Sequence, residues 1–201
     1  MAQTPPLRLH LIRHGETEWS LSGQHTGTSD IPLTPHGEEE ARGLVPWLRT
    51  RQFLRVLTSP RQRARRTCEL AGLGASAETT QDLAEWNYGE YEGKRSAEIA
   101  QINPGWNIFE NGCPGGETPA QVAARADRLI ASLEALHGDV ALFSHGHFSM
   151  VIATRWIGLP VVEGQHLALS TASLSILGYA AHHPVRVIAL WNAAPAALPA
   201  G

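Results

Sequence analysis

The stretch that most constrains this chain is Leu9 to Ser20, LHLIRHGETEWS. Its apolar residues Leu9, Leu11 and Ile12 read as a buried strand that delivers Arg13 and His14 at its carboxyl end, and Gly15 then permits a sharp turn. In open α/β sheets ligands bind outside the carboxyl ends of the strands, so a basic pair there stands where chemistry is done. Taken alone, Arg-His-Gly reads equally as an exposed basic turn, and its meaning depends on partners elsewhere. A second stretch repeats the design: VALF at 140–143 hands Ser144, His145, Gly146 and His147 to a strand end.

Helical and strand-like segments alternate between and beyond these ends. Residues 20–35, rich in Gly, Ser, Thr and Asp, read as an ordered loop over the first strand end. Thr34 is a candidate N-cap with Pro35 at the first helical position, for a helix through Ala41, Leu44 and Leu48 that Pro46 ends or kinks. FLRVLT at 53–58 reads as a second buried strand. Ser59 and Pro60 read as the cap and first residue of a helix on which Arg63 points across the strand ends, with Arg66 and Thr67 turned away. Apolar residues recurring every three or four positions predict a helix over 117–137, another follows over 149–157, and runs at 172–179 and 185–191 read as strands. This alternation predicts an α/β three-layer sandwich, a mainly parallel central sheet with helices on both faces. At 201 residues and 43% hydrophobic, the chain reads as one domain over 1–201, with an irregular lid-like insertion at about 86–116 and a loosely ordered tail at about 193–201.

A net charge of -3 argues against general affinity for nucleic acid or anionic membranes. The local cluster Arg61, Arg63, Arg65 and Arg66 points instead to a small anionic ligand, although at least two of these arginines read as solvated. No signal-like or membrane-length apolar run stands out, which predicts a cytoplasmic protein. Cys68 and Cys113 lack metal-ligand spacing and read as two reduced thiols. A homodimer fits small enzymes of this kind generally, and no stretch marks an interface.

Two histidines, two arginines and a carboxylate at one sheet edge suit phosphoryl transfer. Guanidinium groups match phosphate bidentately and repel a metal cation, and no Gly-x-Ser-x-Gly elbow points to acyl transfer. Within QDLAEWNYGEYEG at 81–93, Glu85 stands beside Trp86 and Tyr88, which would partly desolvate it. Desolvation of a carboxyl favours its protonated form, as a general acid near neutrality requires.

Arg13-His14-Gly15-Glu16-Thr17 resembles the RHG signature of the histidine phosphatase, or phosphoglycerate-mutase-like, superfamily. Thr26-Gly27, Leu33-Thr34, Ser59-Pro60 with Arg63-Ala64 and Thr67, Glu85 with Gly89, Gly116-Glu117-Thr118, and Ser144-His145-Gly146 extend the likeness from residue 8 to about 192. GQHTGTSDIPLT, TSPRQRARRT, EWNYGEYEG and WNIFENGC are similar to the fungal sedoheptulose-bisphosphatase branch. The resemblance implies the phosphoglycerate-mutase-like fold and a phosphomonoesterase that uses no metal or cofactor. It would hydrolyse a small phosphate ester, such as a sugar phosphate, through a phosphohistidine. His14 would be the nucleophile, Arg13, Arg63 and His145 the oxyanion ligands, and Glu85 the acid and base. Gln24, Thr26, Gly27, Tyr88 and Gly146 would face the substrate. A phosphoglycerate mutase and a non-catalytic phospholigand-binding protein are the alternatives. Three positions depart from relatives: Ser20 stands where mutases carry Asn, His25 replaces an aromatic of the bisphosphatase branch, and Met150 replaces an arginine, which weighs against sugar-bisphosphate specificity.

Overall fold

A computed structural model describes residues 5–195. In chain order the regular elements begin with β1 (Arg8–Arg13), α1 (Glu18–Ser22), α2 (Pro35–Gly43), α3 (Val45–Leu48), β2 (Phe53–Thr58), α4 (Gln62–Leu70) and β3 (Ala77–Thr79). There follow α5 (Ser96–Ile102), α6 (Ile108–Asn111), α7 (Pro119–Leu133), β4 (Asp139–Ser144), α8 (Gly146–Trp156), β5 (Leu174–Tyr179) and β6 (Arg186–Ala193). Six strands form one sheet in the order β3-β2-β4-β1-β5-β6. The first four run parallel, and β5 and β6 add an antiparallel hairpin at the β1 side. The expected α/β fold is therefore present, with a mixed sheet.

Alternation along the central strands divides the core between two faces. Leu9, Leu11, Val140 and Leu142 pack with Val122, Leu129, Phe148 and Val151 of α7 and α8. Ile12, Val56, Ala141 and Phe143 pack with Leu44, Trp47 and Cys68 of α2–α4 on the other face. Side chains of successive strand residues point to opposite faces, so one buried strand serves both layers. Cys68 and Cys113 are buried and free, and burial pushes both thiols up to about 12.

Helix starts differ from the sequence reading for local reasons. Thr34 caps α2 by accepting from the Gly37 amide, and the helix breaks before α3 near Pro46, as expected. By contrast, α4 begins at Gln62, not Pro60, because the Ser59 hydroxyl is engaged with His145 and the Gln62 amide donates to Asp30. Thr67 lies four residues from Arg63, hence on the same helix face, and donates to the Arg63 carbonyl instead of turning away. The 86–116 segment is not irregular throughout: α5 and α6 lie within it, the latter started by Asn107. Predicted strand 172–179 begins at Leu174, since Ala172 adopts φ 46. The tail expected at 193–201 lies outside the described residues beyond Pro195.

The register brings three strand ends together. Arg13 pairs with Ser144, the His14 amide donates to the Ser144 carbonyl, and the Ser59 amide donates to the Phe143 carbonyl. Gly15 follows at a backbone crossing, where an added Cβ would lie 2.3 Å from the Gly37 carbonyl oxygen. Gly37 is equally confined, its Cβ falling 2.2 Å from the Glu16 oxygen. Neither contact can relax by rotating a side chain, because both obstacles are backbone. Gly37→Ala is expected to lower stability in urea unfolding by about 1–3 kcal/mol or more, the cost of overpacking a buried contact.

Candidate active site

At the carboxyl ends of β1 and β4 opens a cavity of about 260 Å³. Arg13, His14, Glu85, Gln24, Thr26, Tyr88 and Gly146 line it, together with His25, His147, Trp19, Ser20 and Ser96. Arg63, His145 and Gly27 stand behind the wall. A larger groove of about 450 Å³ lies by Leu7 at the amino end of β1, away from these groups.

His14 is 5% exposed, and its Nδ1 lies 2.7 Å from the Gly15 carbonyl oxygen. A carbonyl only accepts, so in the neutral ring Nδ1 carries the proton and Nε2 keeps a lone pair. Burial, reinforced by the Arg63 and Arg13 charges, holds the His14 pKa well below the usual imidazole range. The surroundings thus keep this ring neutral. Arg13 gives one bond to the Leu169 carbonyl, while its buried Nε has no acceptor among the described residues.

Arg63 is fully buried. Its Nη1 donates to Ser29 O at 2.8 Å, its Nη2 to Thr26 O at 2.8 Å and Gly27 O at 3.3 Å, and its Nε to His145 Nδ1 at 3.1 Å. Arginine cannot accept, so the last bond makes His145 Nδ1 the acceptor and places its proton on Nε2, which meets Ser59 Oγ at 2.7 Å. The His145 ring packs at a steep angle to His14 with centroids 5.2 Å apart. Burial, then Arg63, then His14 lower the His145 pKa well below the ordinary value. Both ring nitrogens are engaged within the protein, so direct contact of His145 with a ligand requires the ring to turn. Arg65 and Arg66 are exposed, Arg66 pairing with Glu38 and Glu69.

Glu85 gains its place from α8. Its carboxylate accepts from the amides of Phe148 at 2.8 Å, Trp86 at 2.9 Å and His147 at 3.1 Å, while the N-cap of α8, His145, makes no side-chain cap bond. A carboxylate on first-turn amides of a helix also meets the positive end of its dipole. With those amides satisfied, the helix begins at Gly146, three residues before the expected Ser149. Arg125 anchors the preceding loop through the carbonyls of Asp82, Ala84 and Glu85, and Glu117 grips the Asn87 amide. Of this clamp, sequence matching reached Glu117 but not Arg125, whose eight-residue spacing from Glu117 across a helix start is a weak signal.

The remaining residues fall into wall and frame. Tyr88 Oη lies 2.6 Å from His147 Nδ1. Gln24 Nε2 donates to Gly93 O, and Thr26 Oγ1 to Gln24 O. The Gly27 amide donates to the Glu92 carboxylate, and an added Cβ there would lie 2.5 Å from Trp86 O. Ser20 shares a capping box with Thr17 at the start of α1. Met150 packs against the apolar core and lines neither this cavity nor the one beside it. Among the described residues no group of three His, Cys, Asp or Glu is arranged to hold a metal, and no helix is long and apolar enough to cross a membrane.

A histidine whose Nε2 keeps its lone pair thus stands at the end of β1, next to Arg13. The model of the histidine phosphatase superfamily (branch 1) matches residues 9–193. The chain belongs to that superfamily. An acid phosphatase of Mycobacterium tuberculosis strain H37Rv is 44% identical over 188 residues, covering 91% of each chain. Sedoheptulose 1,7-bisphosphatase of Saccharomyces cerevisiae is 39% identical, covering 77% of this chain and 69% of the yeast protein. Among solved structures, that of the M. tuberculosis open reading frame Rv3214 aligns with TM-score 0.88 at 42% identity, over 94% of this chain and 98% of that one. A mycobacterial glucosyl-3-phosphoglycerate phosphatase in complex with VO3 aligns with TM-score 0.81 at 28% identity, over 92% and 98%. The family match together with the phosphatase-named relatives identifies the chain as a phosphatase.

Four buried histidines, His10, His14, His25 and His145, and the half-buried His147 have lowered pKa values, and for His25 and His147 desolvation brings them to about 4. In the unfolded chain each titrates near 6.5, so below that pH the unfolded state binds protons that the folded state refuses. Stability is complete above about pH 6.5 and falls as pH drops towards 4. Urea unfolding at pH 7 and pH 5 is expected to show a loss of at most roughly 1 kcal/mol per pH unit for each such histidine.

Proposed function

We propose that the protein hydrolyses small phosphate monoesters by a two-step displacement at His14. The bond from His14 Nδ1 to the Gly15 carbonyl carries this reading, because it leaves Nε2 unprotonated in a cavity that Arg13 also lines. Nε2 attacks phosphorus in line, the phosphorus–oxygen bond to the alcohol breaks, and Glu85 gives the departing oxygen a proton. Water then loses a proton to Glu85 and attacks the phosphohistidine. The phosphorus–nitrogen bond breaks and neutral His14 returns. Glu85 Oε2 has a single amide partner where Oε1 has two, so Oε2 is the oxygen available for these transfers.

Arg13 binds the oxygens on which transition-state charge collects, and Arg63 adds its charge from behind the wall, holding the Thr26–Ser29 loop and the His145 ring in place. His145 joins the oxyanion set by turning its ring from Ser59 to the phosphoryl group. The two guanidinium groups supply the charge stabilisation that magnesium supplies in kinases, so the scheme needs no metal. Gln24, Thr26, Tyr88 and Gly146 border the phosphoryl group, and Gly27 shapes the loop that Arg63 grips.

His14→Ala is expected to abolish phosphate release and the acid-labile phosphoenzyme trapped during burst kinetics. Retention of near-normal turnover would sink the mechanism. Glu85→Gln is expected to lower kcat about 10²–10⁴-fold on alkyl phosphates, with a smaller loss on an aryl phosphate whose leaving group needs little protonation. Burial and the arginines hold the His14 pKa well below its ordinary value, so the nucleophile does not titrate as a free imidazole. The pH profile of kcat/KM, corrected for ionisation of the substrate, is expected to lack an imidazole limb near 6.5.

A further inference from the structure

Beside the phosphoryl cavity lies a second one of about 310 Å³, and the two share His25, Ser96 and His147 as a common wall. Trp106, Asn107, Phe109 and Gln165 supply much of the rest. The rings are packed against one another: Trp106 stands 5.4 Å from His25, Phe109 5.4 Å from His147, and His25 5.8 Å from His147. Asn107 donates to Gln165 Oε1 at 2.6 Å, and Gln165 Nε2 has no protein acceptor among the described residues. No Lys, Arg, Asp or Glu lines this second cavity, whereas Arg13 and Glu85 line the first.

From this division we infer that the second cavity is the leaving-group subsite, and that it selects an uncharged, hydroxylated alcohol of sugar size over one bearing a second phosphate or a carboxylate. The inference rests on the phosphatase reading of the first cavity. Aromatic faces with a few amide and hydroxyl groups suit a neutral polyol, whose carbon–hydrogen faces pack on rings while its hydroxyls bond at the edges. A second anionic group would be placed against Trp106 and Phe109 with no counter-charge in the lining, whereas a site built for such a group supplies a cation. His25 and His147 cannot serve as that counter-charge at neutral pH, since burial lowers both to about 4. The nearby Arg95 is already paired with Glu98, and Lys94 donates to the Glu90 carbonyl.

The test measures phosphate release by the full chain from glucose 6-phosphate, fructose 1,6-bisphosphate, 3-phosphoglycerate and an aryl phosphate, alongside His14→Ala, Gln165→Arg and Trp106→Ala. The wild type is expected to favour the sugar monophosphate over the bisphosphate and the phosphoglycerate by at least tenfold in kcat/KM. Gln165→Arg, which places a cation on the subsite, is expected to shift the bisphosphate-to-monophosphate ratio at least tenfold towards the bisphosphate. Trp106→Ala is expected to lower the monophosphate-to-aryl-phosphate ratio several-fold. Wild-type preference for either anionic substrate, or ratios that neither substitution moves, would overturn the inference while His14-dependent hydrolysis of the aryl phosphate left the phosphatase reading standing. Absence of any hydrolysis that His14→Ala removes would instead overturn the reading beneath it.

Discussion

A guanidinium with no exposed surface sits beneath the catalytic pocket, and much of the site's geometry is organised by its bonds. Arg63 ties three carbonyls of the 26–29 loop to α4 and fixes the His145 ring at the end of β4. Burying a cation is costly, and it is tolerated only where nearly every donor finds an acceptor. The loop therefore folds around the charge with its carbonyls turned inward. Burial lowers the Arg63 pKa to about 10, which still leaves the group cationic at neutral pH. The same charge that shapes the loop depresses both His14 and His145, so protein architecture and nucleophile chemistry share one source.

Glu85 shows a complementary economy. The segment that carries it has only short 3₁₀ turns nearby, yet the carboxylate is fixed by amides at the start of α8. A helix lacking its own side-chain cap and a loop lacking its own regular structure satisfy each other. Arg125 and Glu117 complete the restraint from α7. Glu85 is thereby coupled to the same strand end, β4, that presents His145.

The strand ends were legible in the sequence because period and punctuation agree there: an apolar run, a functional pair, then glycine. Arg13, His14 and His145 could be placed at one edge on that ground alone, and helix spacing turned Arg63 towards them. What escaped depends on contacts between distant segments. Ser59 looked like a cap because its hydroxyl is a good acceptor, but His145 claims that hydroxyl from 86 residues away. The early start of α8 rests on a carboxylate 63 residues from Phe148. Likewise, the sequence marked His25 only as a departure from relatives, and it is the fold that brings it against His147 between two cavities. Met150, the departure from relatives that stood out in the sequence, packs its side chain against the core.

The segment bearing Trp106 to Phe109 is anchored largely within itself: Trp106 Nε1 bonds the Gly112 carbonyl, and Asn107 starts α6 and reaches across to Gln165. None of these bonds involves His14, Arg13, Arg63 or Glu85. On the proposed reading, a chain built this way holds the alcohol and the phosphorus with largely different residues, joined only at the wall of His25, Ser96 and His147. Descendants could exchange the first set, loop by loop, and inherit the second intact.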